Sequence, residues 1–243
     1  MSACTRRKER FLHDSCQRHP PSGSPGESGL KPLVQNSKVI ILFLNIHGFL
    51  SHRAELEAYI SAQPSFSFVG ITESFLDASV KFVGLSGYSI VARLDRRDGR
   101  EKGGILFFAR DDLASKIVHV EDSTLSERSW FILHSDAGPI LLGLWYRPPC
   151  YGEIDSILSL ESEWKRLAAG AIGSVIFGDM NVHHQPWLQF SKGIHLEGKK
   201  LFEVCSTNGL QQMAKAPTRD KNLLDLVLTD VPQILKRSTH SKF

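Results

Sequence analysis

The sequence predicts a mixed-sheet α/β or α+β domain, and three observations carry that prediction. From Val39 onward, strand-length apolar runs alternate with helix-length amphipathic segments. Two of the runs, residues 130–134 and 140–146, flank Asp136-Ala137-Gly138, a hairpin signal. Other runs are separated by a helix and so can lie parallel. With 243 residues, 42% of them hydrophobic and 23% charged, the chain has room for one sizeable core.

The elements follow in order. Residues 39–44 read as a buried strand ending at Asn45-Ile46-His47-Gly48. Ser51 can cap a helix with Leu56, Tyr59 and Ile60 on one face. Residues 66–71 form a second strand, ending at Thr72-Glu73, and residues 104–109 a third. After the hairpin, Ile154, Ile157, Leu158, Trp164 and Leu167 mark a helix that stops at Gly170. The run 175–177 then breaks at Gly178 and delivers Asp179 and Asn181. A helix over Leu196–Thr207 stops at Asn208-Gly209, and residues 224–228 are the last clear strand.

Residues 1–37 are rich in Ser, Pro, Gly, Arg and His and are expected to be a disordered basic tail, leaving 38–243 as the domain. Residues 1–38 hold seven basic side chains against three acidic ones, so the net +3 leaves the remainder near −1. Composition therefore shows no bulk electrostatic grip on nucleic acid. No apolar run is long enough to span a bilayer, and the N-terminus lacks the apolar stretch of a secretory signal. Cys4, Cys16, Cys150 and Cys205 have no metal-ligand spacing and read as reduced thiols of an intracellular, nuclear or cytoplasmic, protein.

Three strands end in Asn45, Glu73 and Asp179. In open α/β sheets, ligand sites gather at strand ends. A cleft rimmed by these hard oxygen donors suits Mg²⁺ or Mn²⁺ and not zinc. If the extended backbone continues past Gly178, Asp179 and Asn181 face the same space and can position a water beside a phosphate. A Gly-Asp-x-Asn turn is the alternative for that segment.

The ordered set Asn45-Ile46-His47-Gly48, Thr72-Glu73, Gly103-Gly104, Tyr146-Arg147-Pro148-Pro149, Gly178-Asp179-Met180-Asn181-Val182-His183-His184, Trp187 and Leu224-Asp225-Leu226-Val227-Leu228 resembles the endonuclease/exonuclease/phosphatase superfamily. Within it the chain is similar to the apurinic/apyrimidinic-type endonuclease domain of non-LTR retrotransposons, over about residues 39–230. The resemblance implies a four-layer sandwich of two mixed β-sheets flanked by helices. It implies metal binding by Glu73 and Asn45, and catalysis by Asp179, Asn181, Tyr146 and Asp225. Asp225 would pair with a catalytic histidine, and His47, Arg147 and His183 would meet substrate. It further implies DNA as substrate and a reverse transcriptase domain as partner in the intact element.

Two departures qualify it. His47 stands where many relatives carry Asp or Asn, and a neutral imidazole is a poorer ligand for a hard cation. The family's closing Ser-Asp-His strand has only Ser238-Thr239-His240 as an echo, so a missing final strand is expected, with His240 as the candidate substitute. Asp225 is then expected to be a buried carboxylate lacking its usual partner. Three functions compete: a metal-dependent DNA endonuclease, a catalytically degenerate fragment retaining DNA or protein binding, and a phosphatase built on the same core.

Overall fold

The computed structural model describes residues 7–13, 38–63, 65–96, 102–219 and 221–242, those of 7–13 and 236–242 by their backbone alone. In chain order the elements are β1 (Arg7–His13), β2 (Val39–Asn45), α1 (Phe49–Ala62), β3 (Phe68–Thr72), β4 (Tyr88–Leu94), β5 (Ile105–Arg110), β6 (Ile117–Asp122), β7 (Glu127–Ser135), β8 (Gly138–Tyr146), α2 (Asp155–Leu167), β9 (Gly173–Asp179), α3 (Leu196–Thr207), β10 (Gln211–Gln212), β11 (Asp225–Thr229) and β12 (Leu235–Lys242). They make two mixed sheets. One has the four-strand core β2-β3-β5-β4, extended beyond β2 by β1 and β12; the other runs β10-β11-β9-β8-β7-β6. β2 pairs parallel to β3, and β8 parallel to β9; the other pairings are antiparallel.

Alternation along the strands builds the layers. Phe43, Phe68 and Phe107 of the first sheet face Phe131, Leu144 and Phe177 of the second. Phe107 stacks on Phe131 at 4.3 Å between centroids. Leu42, Leu44, Val69, Ile71, Leu106 and Phe108 point the other way and pack with Phe49, Leu56 and Ile60 of α1. The two sheets thus form the middle of a layered sandwich.

Four differences from the sequence reading have physical reasons. α1 begins at Phe49 after Gly48, so Ser51 lies inside the helix and caps nothing. β4 and β6 mix exposed and half-buried residues, with only Ala92, Leu94 and Ile117 buried, as outer strands do, and lack the solid apolar signal of a central strand. Arg7–His13, inside the expected tail, is a strand pairing with β2 on one side and β12 on the other. β2 is central and apolar, and its free edge needs a partner that propensity alone does not reveal. Residues 1–6 and 14–37 lie outside the described set. Beyond the last strand expected, β12 follows, and places His240 opposite Glu9 of β1.

One buried charge ties α2 to its sheet. Arg128 is fully buried, donates to Glu163 Oε2 at 2.9 Å and to the Ser156 carbonyl at 3.1 Å, and lies 4.8 Å from the Trp145 ring centroid. Trp130 Nε1 donates to the same Glu163 oxygen at 2.7 Å. Burial pulls the guanidinium down to about 10, against the support of Glu163. Truncating the arginine strands the glutamate. Arg128→Ala is expected to cost about 3–5 kcal/mol in equilibrium urea unfolding, and a loss under 1 kcal/mol would contradict this packing.

Candidate active site

The ends of β2, β3, β8 and β9 converge on one cleft. Asn45 closes β2, Glu73 follows β3, Tyr146 closes β8, and Asp179 closes β9. Asn45 Nδ2 donates at 2.8 Å to Glu73 Oε1 and at 2.8 Å to Asp179 Oδ2. One carboxamide therefore joins a carboxylate of its own sheet to one of the facing sheet. His47 Nδ1 lies 2.9 Å from Glu73 Oε2. Its ring is half exposed and meets Phe75 edge-on at 4.9 Å. Tyr146 faces the same Glu73 carboxylate.

The backbone at these positions is specialised. His47, Glu73, Phe75 and Asn181 have φ between 46° and 55°, a left-handed conformation that costs non-glycine residues energy and clusters at functional sites. Gly178 cannot be replaced without rearrangement, because a Cβ there would lie 1.8 Å from the Trp145 carbonyl oxygen. This close approach keeps β9 against β8 up to Asp179.

Asp179 is fully buried. Its Oδ2 receives Asn45 and also Arg219 Nη2, at 3.0 Å. Oδ1 is buried without a side-chain hydrogen-bond partner among the described residues. Burial pushes its carboxyl up to about 6, with Arg219 and Asn45 opposing the shift and Glu73 adding to it. Glu73 moves the other way: hydrogen bonds from Asn45, His47 and Tyr146 outweigh the cost of its burial, and its carboxyl falls below its ordinary value. Burial, reinforced by Glu73, drives the Tyr146 phenol well above its usual value, so it stays a neutral donor. Two neighbouring carboxylates are thus separated by environment, one ionised readily and one poised near neutrality.

The remaining expected residues fall into place unevenly. Asn181 does not continue the strand; its left-handed turn sends Nδ2 to the Arg147 carbonyl at 2.9 Å, while its backbone N–H supports Asp179. The expected side-by-side projection of Asp179 and Asn181 is therefore corrected. Arg147 is buried, with Nη2 donating to the Cys150 and Glu153 carbonyls at 2.9 and 2.6 Å, so it braces its own loop instead of facing substrate. His183 sits half-buried on the rim, its Nδ1 3.1 Å from Ser191 Oγ. Asp225 opens β11 directly opposite Asp179. It is buried but engaged, so it is not the unpaired carboxylate expected. The side chain of His240 lies outside the described residues.

Sequence reasoning missed Arg219, which precedes β11 in a loop whose pattern carries no structural signal. It also missed the role of Arg96, which binds Glu127 Oε1 at 2.5 Å and lies 5.6 Å from the Tyr146 ring centroid. Glu127 in turn holds the Gly104 N–H at 2.5 Å, which gives the Gly103-Gly104 pair its place beside the cleft.

The donor set has the chemistry for a hard cation. Glu73 offers a carboxylate, and Asn45, its nitrogen committed to two acids, offers a carboxamide oxygen. Among the described residues no group of three or more His, Cys, Asp or Glu side chains forms a ready-made cage. Mg²⁺ does not need one, since it keeps several waters and takes one or two carboxylates with substrate phosphate.

The Asp179 environment predicts a pH dependence in metal-free protein. Its folded value of about 6 lies above the ordinary carboxylate value of 3.8, so the folded chain holds the proton more tightly than the unfolded chain. That contribution to stability is complete below the unfolded value and lost as pH rises through about 6. Asp179→Asn removes the ionisation. It is expected to be more stable than wild type at pH 8, by on the order of 1–3 kcal/mol, and to lose that advantage near pH 4. Denaturant melts at both pH values test this, and an advantage equal at both would contradict it.

Comparison with known proteins agrees with the fold. Residues 143–242 match the family described as endonuclease-reverse transcriptase. The chain is similar to the endonuclease domain of TRAS1, a telomere-specific non-LTR retrotransposon, at 18% identity and TM-score 0.58, covering 77% of this chain and 83% of that one. It is also similar to the 3′-5′ exonuclease NExo from Neisseria meningitidis, at 12% identity and TM-score 0.55 with 79% and 87% covered. A third likeness is to the mannosyl-6-phosphatase Bt3783 of Bacteroides thetaiotaomicron, at 17% identity and TM-score 0.51 with 75% and 78% covered. No match was found among curated protein sequences. The chain is therefore a protein of the endonuclease/exonuclease/phosphatase fold whose residues 143–242 match the endonuclease-reverse transcriptase family.

Proposed function

We propose that the cleft hydrolyses a phosphodiester of DNA with the help of a divalent cation, Mg²⁺ or Mn²⁺, in the manner of a retroelement endonuclease. The observation that carries this reading is the Asn45 carboxamide, which holds Glu73 and Asp179 together at the meeting of the two sheets. The family matched by residues 143–242 supports a nucleic-acid phosphodiester over a sugar phosphate.

In this reading Glu73 and Asn45 hold the cation, which when bound neutralises charge building on the phosphate. Asp179, poised near neutrality, is the residue that would accept a proton from the attacking water. Arg219 and Asn45 occupy Oδ2 and fix the carboxylate's orientation. Tyr146 stays protonated and can donate to a phosphate oxygen in exchange for Glu73. His47 is the half-exposed imidazole beside that position. A reverse transcriptase domain elsewhere in an intact element would use the nick.

Nicking of supercoiled plasmid in Mg²⁺ tests the proposal. Asp179→Ala and Glu73→Gln are each expected to lower the rate at least about 100-fold. Because the base must be ionised, the wild-type rate is expected to rise with pH through the acid range and then level off. Wild-type nicking no faster than Asp179→Ala would leave a DNA- or protein-binding fold and overturn the enzymatic reading.

A further inference from the structure

Tyr151 is 82% exposed, yet buried charged groups fix its loop on both sides. On one side Arg147, 1% exposed, clamps the carbonyls of Cys150 and Glu153. On the other, Glu197 of α3, 3% exposed, accepts the Gly152 N–H. Burying an arginine and a glutamate is costly unless they are well bonded, and here both spend bonds on holding the backbone around one exposed ring. The ring is also braced from below. Tyr151 meets His195 at 5.4 Å and 67°, and His195 meets His183 at 5.0 Å and 77°.

This row of rings adjoins the cleft. His183 is two residues past Asn181, whose side chain bonds the Arg147 carbonyl at 2.9 Å. Lys192, whose N–H approaches His183 Nδ1 at 3.3 Å, and Lys199, one turn beyond His195 in α3, are exposed cations on the same rim. One exposed ring on a fixed loop, flanked by lysines, matches the requirements of an unpaired nucleotide, which offers a π-face to the ring and phosphates to the cations.

We propose that Tyr151, braced by His195 and His183, is a stacking platform for an unpaired nucleotide beside the cleft. The platform rests on the reading of the cleft as a nucleic-acid site. It would favour DNA with a displaced base over fully paired duplex, without reading sequence, since every base presents a π-face.

The test is fluorescence anisotropy of the full chain in EDTA, with a duplex carrying one unpaired nucleotide and a fully paired duplex. Tyr151→Ala is expected to weaken binding to the first about tenfold while changing the second less than about twofold. Tyr151→Trp is expected to restore affinity and to show indole quenching on binding. Phe82→Ala, at the 93% exposed Phe82 in a separate loop, controls for loss of any exposed ring and is expected to change neither. Unchanged binding of both duplexes by Tyr151→Ala, or equal loss on both, would overturn the platform; the first result would leave the ring to a protein partner. Failure of the platform and of the nuclease reading are separable. Tyr151-dependent binding without Mg²⁺-dependent nicking sinks only the nuclease. Nicking with Tyr151-independent binding sinks only the platform.

Discussion

The cleft depends on a single side chain that bridges two sheets. Asn45 ends a strand of the first sheet, and its amide nitrogen reaches Glu73 in that sheet and Asp179 in the other. Both acceptors are buried carboxylates, which repel each other and are costly to desolvate. A neutral double donor between them bridges the two acids. Arg219 then compensates the deeper one from the solvent side. The phenylalanine-rich layer behind, with Phe43, Phe107 and Phe177 in contact, keeps the two sheets in the register this bridge needs.

The consequence is a division of labour between two acids of similar intrinsic strength. Glu73 receives three side-chain donors and is held ionised. Asp179 is completely buried and has a negative neighbour, so it holds its proton to higher pH. A permanent anion suits a cation site; an acid near neutrality suits proton transfer. Left-handed backbone at His47, Glu73 and Asn181 shows that local conformational energy is sacrificed to hold this arrangement.

Much of this was legible in the sequence because strands 39–44, 66–71 and 175–177 are solidly apolar, and the polar residues that end them stand out. Asn45, Glu73 and Asp179 stand out in that way, Tyr146 only through the family resemblance, and the structure brings the four together. Strands such as Tyr88–Leu94 and Ile117–Asp122 carry half-exposed faces, and their pattern merges with that of loops. Arg7–His13 is polar, and only its pairing with Val39–Asn45 makes it a strand. The direction of Asn181 followed from a left-handed turn that alternation could not anticipate. Arg147 looked like a substrate contact by its company, but its burial and its bonds to Cys150 and Glu153 make it a brace. Arg219 was invisible because its role depends on a loop reaching across to Asp179.

The central claim is that the bridge assembles a site for one divalent cation at Glu73. Calorimetric titration with Mn²⁺ tests it without requiring turnover. One ion per wild-type chain is expected, with binding lost in Glu73→Gln and weakened in Asn45→Ala. No binding to wild type, or equal binding by wild type and Glu73→Gln, would contradict it.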